Sequence, residues 1–173
     1  YCHPMEDMNL SSVPGHEELA ASVIHDSEIN ELLQSDWKIE AAQVMELLAP
    51  VDKQSLTRQQ KLLHSILSGP IDIDKLDYLY RDSLHAGVPY GMNFDRQRLI
   101  DSLCLNSTRD GLALDEKGKT AAEMLVFSRY VMFSEVYWHH TVRAATSMLQ
   151  RMVFEVSREV ELKQLFHSTD DSQ

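Results

Sequence analysis

Cysteine is scarce in this sequence, and its scarcity excludes two kinds of protein. Only Cys2 and Cys104 are present among the 173 residues. They are too few and too far apart along the chain for a disulfide framework or a thiolate metal site. A reducing compartment suits such a chain, so we expect a cytoplasmic location.

Long apolar runs and an excess of basic residues are missing as well. No stretch approaches the roughly 20 apolar residues that cross a bilayer, so a membrane is not an expected partner. The 16 Lys and Arg residues are outnumbered by 27 Asp and Glu, which gives a formal net charge of -11. Non-specific nucleic-acid binding depends on neutralising phosphates, so we expect no general affinity for nucleic acid. Any phosphate-binding site must therefore depend on a local group of residues and not on the net charge of the chain.

Glycine and proline are also few, with six and five residues. Helix-forming residues dominate the remainder, and 43% of the residues are apolar, which is enough for one substantial core. The composition predicts a helical chain with a single domain over residues 1–173. Because the chain begins at Tyr1 and not at methionine, we interpret it as N-terminally incomplete.

The segment from Gly69 to Gly91, GPIDIDKLDYLYRDSLHAGVPYG, holds an unusual density of side chains that cost energy to bury. Ile73 to His85 contains neither glycine nor proline, which predicts a helix of about three to four turns. At about 100° per residue the helix has two opposite stripes. The apolar stripe is Ile73, Leu76, Leu79, Tyr80 and Leu84, and the polar stripe is Asp74, Tyr78, Arg81, Asp82 and His85.

The polar stripe of this helix has two interpretations. Periodicity alone favours a solvated face with weak ion pairs such as Asp77 to Arg81. Alternatively, Asp72 and Asp74 lie at the helix start, where backbone amides and the helix dipole keep carboxylates ionised and able to ligate a hard cation. Spacing does not decide between the two.

The segment IDIDKLDYLYRDSLHAGVPYG closely resembles the last motif of HD-domain phosphohydrolases of the deoxynucleoside triphosphate triphosphohydrolase (dGTPase-like) type. This resemblance implies that Asp74 is the final metal ligand of an H…HD…D set. It also implies that Tyr78 and Asp82 line the sugar end of a nucleotide pocket. The histidine and the His-Asp doublet of that set are absent from the sequence, and the resemblance implies that they would lie before Tyr1.

The opening segment contains two histidines, and a lone histidine in a loop is usually a surface residue. His3 and Glu6 resemble the tail of the family's HDxGHxPxSH segment. GHEE, which includes His16, resembles the segment that carries the family's catalytic histidine, a residue that does not itself bind the metal. The resemblance implies that His16 protonates the leaving oxygen of a phosphoester and that Glu6 orients it. It also implies that His3 lies near the substrate.

The segment FSRYVMFSEVYWHHTVRAA resembles the family's FxxR…Y segment, which implies that Arg129 lies near the triphosphate and Tyr137 near the sugar. Arg98 is a further candidate for contact with a phosphate. His139 and His140 do not replace the absent ligands, because adjacent residues of a helix point about 100° apart.

Several element boundaries follow from local signals. Trp37 to Ala49 is predicted to form a helix behind a Ser35 or Asp36 cap, and Ser55 is predicted to cap the next helix. Asp110-Gly111 between two short apolar runs predicts one β-hairpin. Lys119 to Phe166 contains neither glycine nor proline, and we predict two or three helices there with a break after Val153.

The resemblance implies an all-α, HD-domain-like helical bundle with one small hairpin, and a metal-dependent phosphohydrolase acting on nucleotides, specifically a (deoxy)nucleoside triphosphate triphosphohydrolase. The expected cofactor is a divalent Mg, Mn, Fe, Ni or Zn ion, and the expected partners are a nucleotide substrate, a nucleotide effector and further copies of the chain in a homo-oligomer. With one expected metal ligand, the 173-residue chain by itself should show negligible turnover.

Two other functions stay open from the sequence. One is a non-catalytic helical module for nucleotide binding or oligomerisation, and the other is an HD phosphohydrolase of another phosphoester.

Overall fold

A computed structural model describes residues 2–10, 13, 15–26, 28–48 and 55–159. These residues form helices and one two-stranded antiparallel sheet, which confirms the predicted all-α class with a small hairpin. In chain order the elements are α1 (Cys2–Glu6), α2 (His16–Asp26), α3 (Glu28–Leu32), a π-helical turn (Leu33–Trp37), α4 (Ala41–Leu48), α5 (Arg58–Leu67), α6 (Ile73–Ala86), a 3-10 turn (Tyr90–Met92), α7 (Arg96–Asp101), β1 (Leu103–Leu105), β2 (Leu112–Leu114), a 3-10 turn (Glu116–Gly118), α8 (Lys119–Met132), a second π-helical turn (Phe133–Tyr137) and α9 (His140–Ser157).

The chain divides into two compact units. The first contains Tyr1–Ala49 and Arg143–Gln173, and the second contains Pro50–Val142. The single HD-type domain over residues 1–173 stays a prediction. Within the described part of the chain, no helix combines the length and the apolar character that a bilayer crossing needs.

The core of the second unit lies between α6, α7 and α8. Its buried side chains are Leu79, Leu99, Ala121, Leu125 and Met132. The hairpin follows α7, with Leu103 paired to Leu114 and Leu105 to Leu112, and its turn contains Asp110-Gly111 as predicted. In the first unit, α9 contacts α1 through the Gln150 side chain, which donates a hydrogen bond of 2.8 Å to the Pro4 carbonyl.

The start of α6 is fixed by Asp72, whose side chain is 5% exposed. Its Oδ1 accepts a hydrogen bond of 2.9 Å from the Lys75 amide, and its Oδ2 accepts bonds from the Lys75 ammonium at 2.5 Å and the Gly69 amide at 3.2 Å. Burial opposes ionisation of this carboxyl, but the bonds from Lys75 and Gly69 outweigh it and lower the pKa of Asp72. Asp72 is therefore the N-cap that ties the preceding loop to the helix.

We expect Asp72→Ala to lower the free energy of unfolding by about 1 to 2 kcal/mol at neutral pH, the usual cost of losing such a cap. Because the pKa of Asp72 is lower in the folded than in the unfolded chain, its contribution is complete above the ordinary value of 3.8 and is lost as the pH falls through the folded value. Urea unfolding at neutral pH and at a pH below the folded pKa of Asp72 should show the stabilities of wild type and variant converging in acid.

The exposed Asp77, on the same helix, gives a matched control for this prediction. Its side chain is 63% exposed, and exposed ion pairs contribute little, so Asp77→Ala should change stability only slightly at either pH. A gap between wild type and Asp72→Ala that stays constant in acid would contradict the capping role.

The inward face of α6 differs from the predicted apolar stripe. Leu79 and Ser83 are fully buried, whereas Ile73 and Leu84 are each more than half exposed. The reason is a polar contact: the Ser83 hydroxyl donates to the Val88 carbonyl at 2.5 Å and accepts from the Gly91 amide at 3.0 Å. With its hydroxyl satisfied, a serine occupies a core position that the apolar pattern assigns to leucine.

Gly91 is required at this contact. A Cβ atom there would lie 2.0 Å from the Leu79 carbonyl oxygen, so no larger residue fits without moving the backbone. Gly87 ends α6 in the left-handed conformation, with φ of 68°, which glycine adopts without strain.

Three other boundary predictions are wrong. Trp37 does not begin a helix behind Ser35 or Asp36: it ends a π-helical turn, is 71% exposed, and is followed by a left-handed Lys38 before α4 begins at Ala41. The cap of α5 is Thr57 and not Ser55, because Thr57 and Gln60 form a reciprocal capping box.

The predicted break in the long C-terminal helical region is also misplaced. The break falls at Trp138 and His139, after the second π-helical turn, and α9 runs through Val153 to Ser157. Because His139 precedes α9, its ring lies 4.1 Å from the His140 ring, so the two imidazoles are not directed apart as expected for one helix.

Candidate functional site

The polar face of α6 places Asp74, Tyr78 and Asp82 one turn apart, since residues four positions apart share a helix face. Tyr78 and Asp82 are partly buried and Asp74 is exposed. The face therefore has a solvent-accessible carboxylate at its beginning and a more enclosed phenol and carboxylate farther along the helix.

Tyr137 joins this face from the second π-helical turn. Its hydroxyl donates a hydrogen bond of 2.8 Å to the Asp82 Oδ2. The ring of Tyr137 meets the ring of Tyr78 edge to face, with the centroids 6.3 Å apart. The structure thus brings together the three residues that the sequence analysis assigns to a sugar site.

The Tyr137 phenol is held in its neutral form. Burial and the hydrogen bond to the Asp82 carboxylate both raise the pKa of Tyr137 above its ordinary value of 10.0. Tyr137 therefore remains a hydrogen-bond donor across the physiological range and fixes one oxygen of Asp82.

Arg81 lies beside the same carboxylate. Its guanidinium binds the Asp77 Oδ2 at 3.0 Å, as the solvated-face interpretation predicts, and lies 3.7 Å from the Asp82 Oδ1. The hydrogen bond to Asp77, with the charges of Asp77 and Asp82, raises the pKa of Arg81. Arg81 therefore adds a positive charge beside Asp82.

Asp74 and Asp72 have different environments. Asp72 is fully engaged in capping α6, whereas Asp74 is exposed and, within the described part of the chain, makes no hydrogen bond or ion pair. No three His, Cys, Asp or Glu side chains cluster to hold a metal ion among the described residues. These residues alone therefore do not fit a complete metal site, although Asp74 is available as a single carboxylate ligand.

The first unit contains the other predicted pair. Glu6 Oε1 accepts a hydrogen bond of 2.8 Å from His16 Nδ1 and a second from the backbone amide of His16 at the start of α2. An ionised carboxylate only accepts, so Nδ1 carries the hydrogen and Nε2 is the nitrogen at which a proton can be exchanged with a substrate. Glu6 and His16 are therefore in contact, and their roles as orienting residue and acid stay predictions.

The remaining site predictions have less structural support. Arg129 is exposed near the end of α8 and, among the described residues, forms no ion pair. His3 belongs to α1, but its side chain lies outside the described part of the structure. Neither residue is tied to Tyr137 or Asp82 by a described contact.

A residue that sequence reasoning missed is Lys117. Its carbonyl accepts a hydrogen bond of 3.0 Å from Arg98 Nε, and both side chains line an open cleft of about 460 Å³ with Asp115. Lys117 lies in a turn 19 residues after Arg98, and no spacing rule links two such positions.

The second half of the chain matches a described family. Residues 94–173 match the family described as HD associated region. A protein of Acanthamoeba polyphaga mimivirus described as HD domain-containing is 30% identical over 109 residues, which cover 59% of this chain and 23% of that protein. These findings support the HD superfamily. The dGTPase-like subtype stays a prediction.

Two further proteins are similar to this chain. The uncharacterised protein YwfO of Bacillus subtilis is 32% identical over 139 residues, which cover 80% of this chain and 30% of YwfO. The crystal structure of a hypothetical protein from Aquifex aeolicus has a TM-score of 0.75 and 31% identity, over 90% of this chain and 41% of that one. The chain thus spans less than half the length of these relatives.

Proposed function

We propose that this chain carries the sugar-reading end of the active site of an HD-superfamily phosphohydrolase that acts on (deoxy)nucleoside triphosphates. The observation that carries the proposal is the hydrogen bond from Tyr137 to Asp82, with Tyr78 against the Tyr137 ring and Asp74 two turns before Asp82. Two aromatic rings can pack against a sugar, and an oriented carboxylate can accept a hydrogen bond from one sugar hydroxyl.

The carboxylate of Asp82 is suited to a 3′-hydroxyl. It has about four lone-pair sites, and the described contacts are one bond from Tyr137 and the neighbouring Arg81 charge. A substrate hydroxyl can therefore donate to Asp82 without displacing Tyr137. An aromatic ring packed on the ribose face leaves little room for a 2′-hydroxyl, so we propose a preference for deoxynucleotides.

Three residues have proposed roles toward the phosphates of the substrate. Arg129 neutralises phosphate charge, and His16, oriented by Glu6, protonates the leaving oxygen from Nε2. Asp74 would be one ligand of a divalent Mg, Mn, Fe, Ni or Zn ion, and such an ion would supply a water of lowered pKa for hydrolysis. The other ligands of that ion must come from outside the described residues.

The cleft at Arg98 and Lys117 supports a second part of the proposal, the binding of a nucleotide effector. The Nε of Arg98 is bound to the Lys117 carbonyl, and among the described residues the two outer guanidinium nitrogens have no hydrogen-bond partner, so they can bind a ligand. The cations of Arg98 and Lys117 can bind a phosphate, and the Asp115 carboxylate can accept a hydrogen bond from a nucleotide base. Loss of effector activation in Arg98→Ala, with substrate binding retained, is the result expected of this site.

The sugar site predicts a selective loss of affinity in Asp82→Ala. Removing a hydrogen-bonded polar partner from a closed site costs about 1 to 3 kcal/mol, or roughly 5- to 150-fold in Kd. We expect that loss for 2′-deoxynucleoside triphosphates and little change for the 2′,3′-dideoxy analogues, which lack the hydroxyl. Competition binding to the full-length protein with matched ribo-, deoxy- and dideoxynucleotides measures both.

Asp77→Ala is the matched control, because Asp77 lies on the same helix and binds Arg81 but is exposed. It should leave all three affinities nearly unchanged. Equal affinity of the wild-type protein for the three nucleotide types would remove the sugar-reading role. The same result would favour a phosphohydrolase that acts on another phosphoester.

A further inference from the structure

Phe133 and Trp138 form a stacked aromatic pair next to the candidate sugar site. Their ring centroids lie 5.6 Å apart, and the two ring planes are inclined by 21°. Phe133 begins the second π-helical turn, Tyr137 ends it, and Trp138 follows Tyr137 directly. Phe133 is 53% exposed and Trp138 is 56% exposed, whereas Tyr137 is partly buried. The pair therefore presents aromatic surface to solvent.

The π-helical turn places these two rings over each other. The Trp138 amide donates a hydrogen bond of 2.7 Å to the Phe133 carbonyl, five residues earlier, which is the bond that defines a π-helix. In an α-helix, residues five positions apart point about 140° from each other and could not stack in this way. The same turn ends at Tyr137, whose hydroxyl bonds to Asp82. One local departure from α-helical geometry thus builds both the stacked pair and the contact to Asp82.

The orientation of Tyr137 indicates the direction in which a bound nucleotide extends. Its phenol oxygen lies 2.8 Å from the Asp82 Oδ2, and its ring leads back from there to the backbone beside Trp138. In the proposed site the 3′-hydroxyl of the sugar binds Asp82. The C1′ atom, which carries the base, lies across the furanose ring from C3′. A sugar packed along the Tyr137 ring with its 3′-hydroxyl at the phenol end therefore directs its base toward Phe133 and Trp138.

A stacked aromatic pair is suited to binding a flat ring system. Every nucleobase has a π face, and changing a stacking aromatic side chain to alanine typically lowers affinity by roughly 5- to 150-fold. Stacking depends on the area of the rings and not on the pattern of hydrogen-bond donors and acceptors. Because a purine has a larger face than a pyrimidine, a stacking site selects bases by size.

We propose that Phe133 and Trp138 form a stacking platform for the base of the nucleotide. Purine nucleotides then bind more tightly than pyrimidine nucleotides, and adenine and guanine are bound alike. This inference rests on the proposed function, because the contact of the sugar to Asp82 determines where the base lies. Exposed aromatic pairs also serve contacts with other proteins. Continuity with the sugar site favours a base here, since one peptide bond joins Trp138 to the residue that binds Asp82.

The test compares 2′-deoxyadenosine triphosphate with an abasic analogue, a 2-deoxyribose 5′-triphosphate that carries hydrogen in place of the base. Competition binding to the full-length protein in the absence of metal, so that neither compound is hydrolysed, measures both affinities. Wild type should bind the nucleotide roughly 5- to 150-fold more tightly than the analogue. Trp138→Ala should remove most of this difference by weakening the nucleotide alone. Trp138→Tyr keeps an aromatic ring and should retain most of it.

Trp37→Ala is the matched control, because Trp37 is also more than half exposed but belongs to the first unit. It should leave both affinities unchanged. The fluorescence of Trp138, taken as the difference between wild type and Trp138→Phe, should be quenched by the nucleotide and not by the abasic analogue.

Two results would overturn the platform while leaving the sugar site in place. One is equal affinity of the wild-type protein for the two compounds, and the other is an equal loss for both in Trp138→Ala. Wild-type affinities in Trp138→Ala would also overturn it and would assign the pair to contact with another protein. A wild-type protein that binds neither compound would contradict the proposed function itself, and the platform with it.

Discussion

Asp74→Ala is expected to abolish nucleotide hydrolysis by the full-length protein with little loss of helicity. Asp74 is exposed at the start of α6 and, within the described residues, supports no other group. Removing the Asp74 side chain should therefore remove a metal ligand and leave the free energy of unfolding almost unchanged. Metal content by atomic emission, hydrolysis rate and circular dichroism of the same preparation measure the three effects.

Asp72→Ala is the control for this prediction, because it differs by two positions and has the opposite role. Asp72 is buried and caps α6 through Lys75 and Gly69, so its loss should lower stability and leave metal content and rate largely intact. Equal losses of metal and rate in the two variants would leave no reason to prefer Asp74 as the ligand.

The second large effect is expected in His16→Ala. A positioned general acid contributes about 10²- to 10⁴-fold, and the rate of the full-length protein should fall by that amount while the metal stays bound. Glu6 holds His16 Nδ1, so Glu6→Gln should reduce the rate less than His16→Ala does.

His25 provides a matched histidine for comparison. It is exposed in the last turn of the same helix α2, and His25→Ala should have the wild-type rate. Loss of metal in His16→Ala would reassign His16 as a ligand, and an unchanged rate would remove it from the site.

The sequence was sufficient for α6 because its boundaries depend on local chemistry. Gly69 and Pro70 precede it, Asp72 can cap it, and Gly87 can end it in the left-handed conformation. Its inward face was not predictable in the same way. Ser83 is buried only because the Gly91 amide and the Val88 carbonyl, several residues later, satisfy its hydroxyl.

The candidate site shows the same division between local and distant information. Asp74, Tyr78 and Asp82 share a helix face, which follows from their spacing. Tyr137 is 55 residues from Asp82, and within the sequence only the resemblance connects it to a sugar. The π-helical turn that positions Tyr137 contains no glycine or proline that would mark it in the sequence. Such turns are frequent at functional sites.

Similar reasoning applies to the surface of α8. In the sequence, Met124, Phe127, Val131 and Phe133 are among the apolar residues of the C-terminal helical region. The core contains Leu125 and Met132 instead, and both phenylalanines are exposed. When apolar residues surround a helix, spacing alone does not show which face meets the core.

The most direct test of the central proposal is the hydrolysis of a nucleotide panel by the full-length protein, followed by separation of nucleosides from phosphates. We predict hydrolysis of 2′-deoxynucleoside triphosphates that stops on chelation, returns with one of the divalent Mg, Mn, Fe, Ni or Zn ions and is absent in Asp74→Ala. Binding of the same nucleotides without hydrolysis in the presence of any of these ions would contradict the proposal. It would instead identify a non-catalytic nucleotide-binding module.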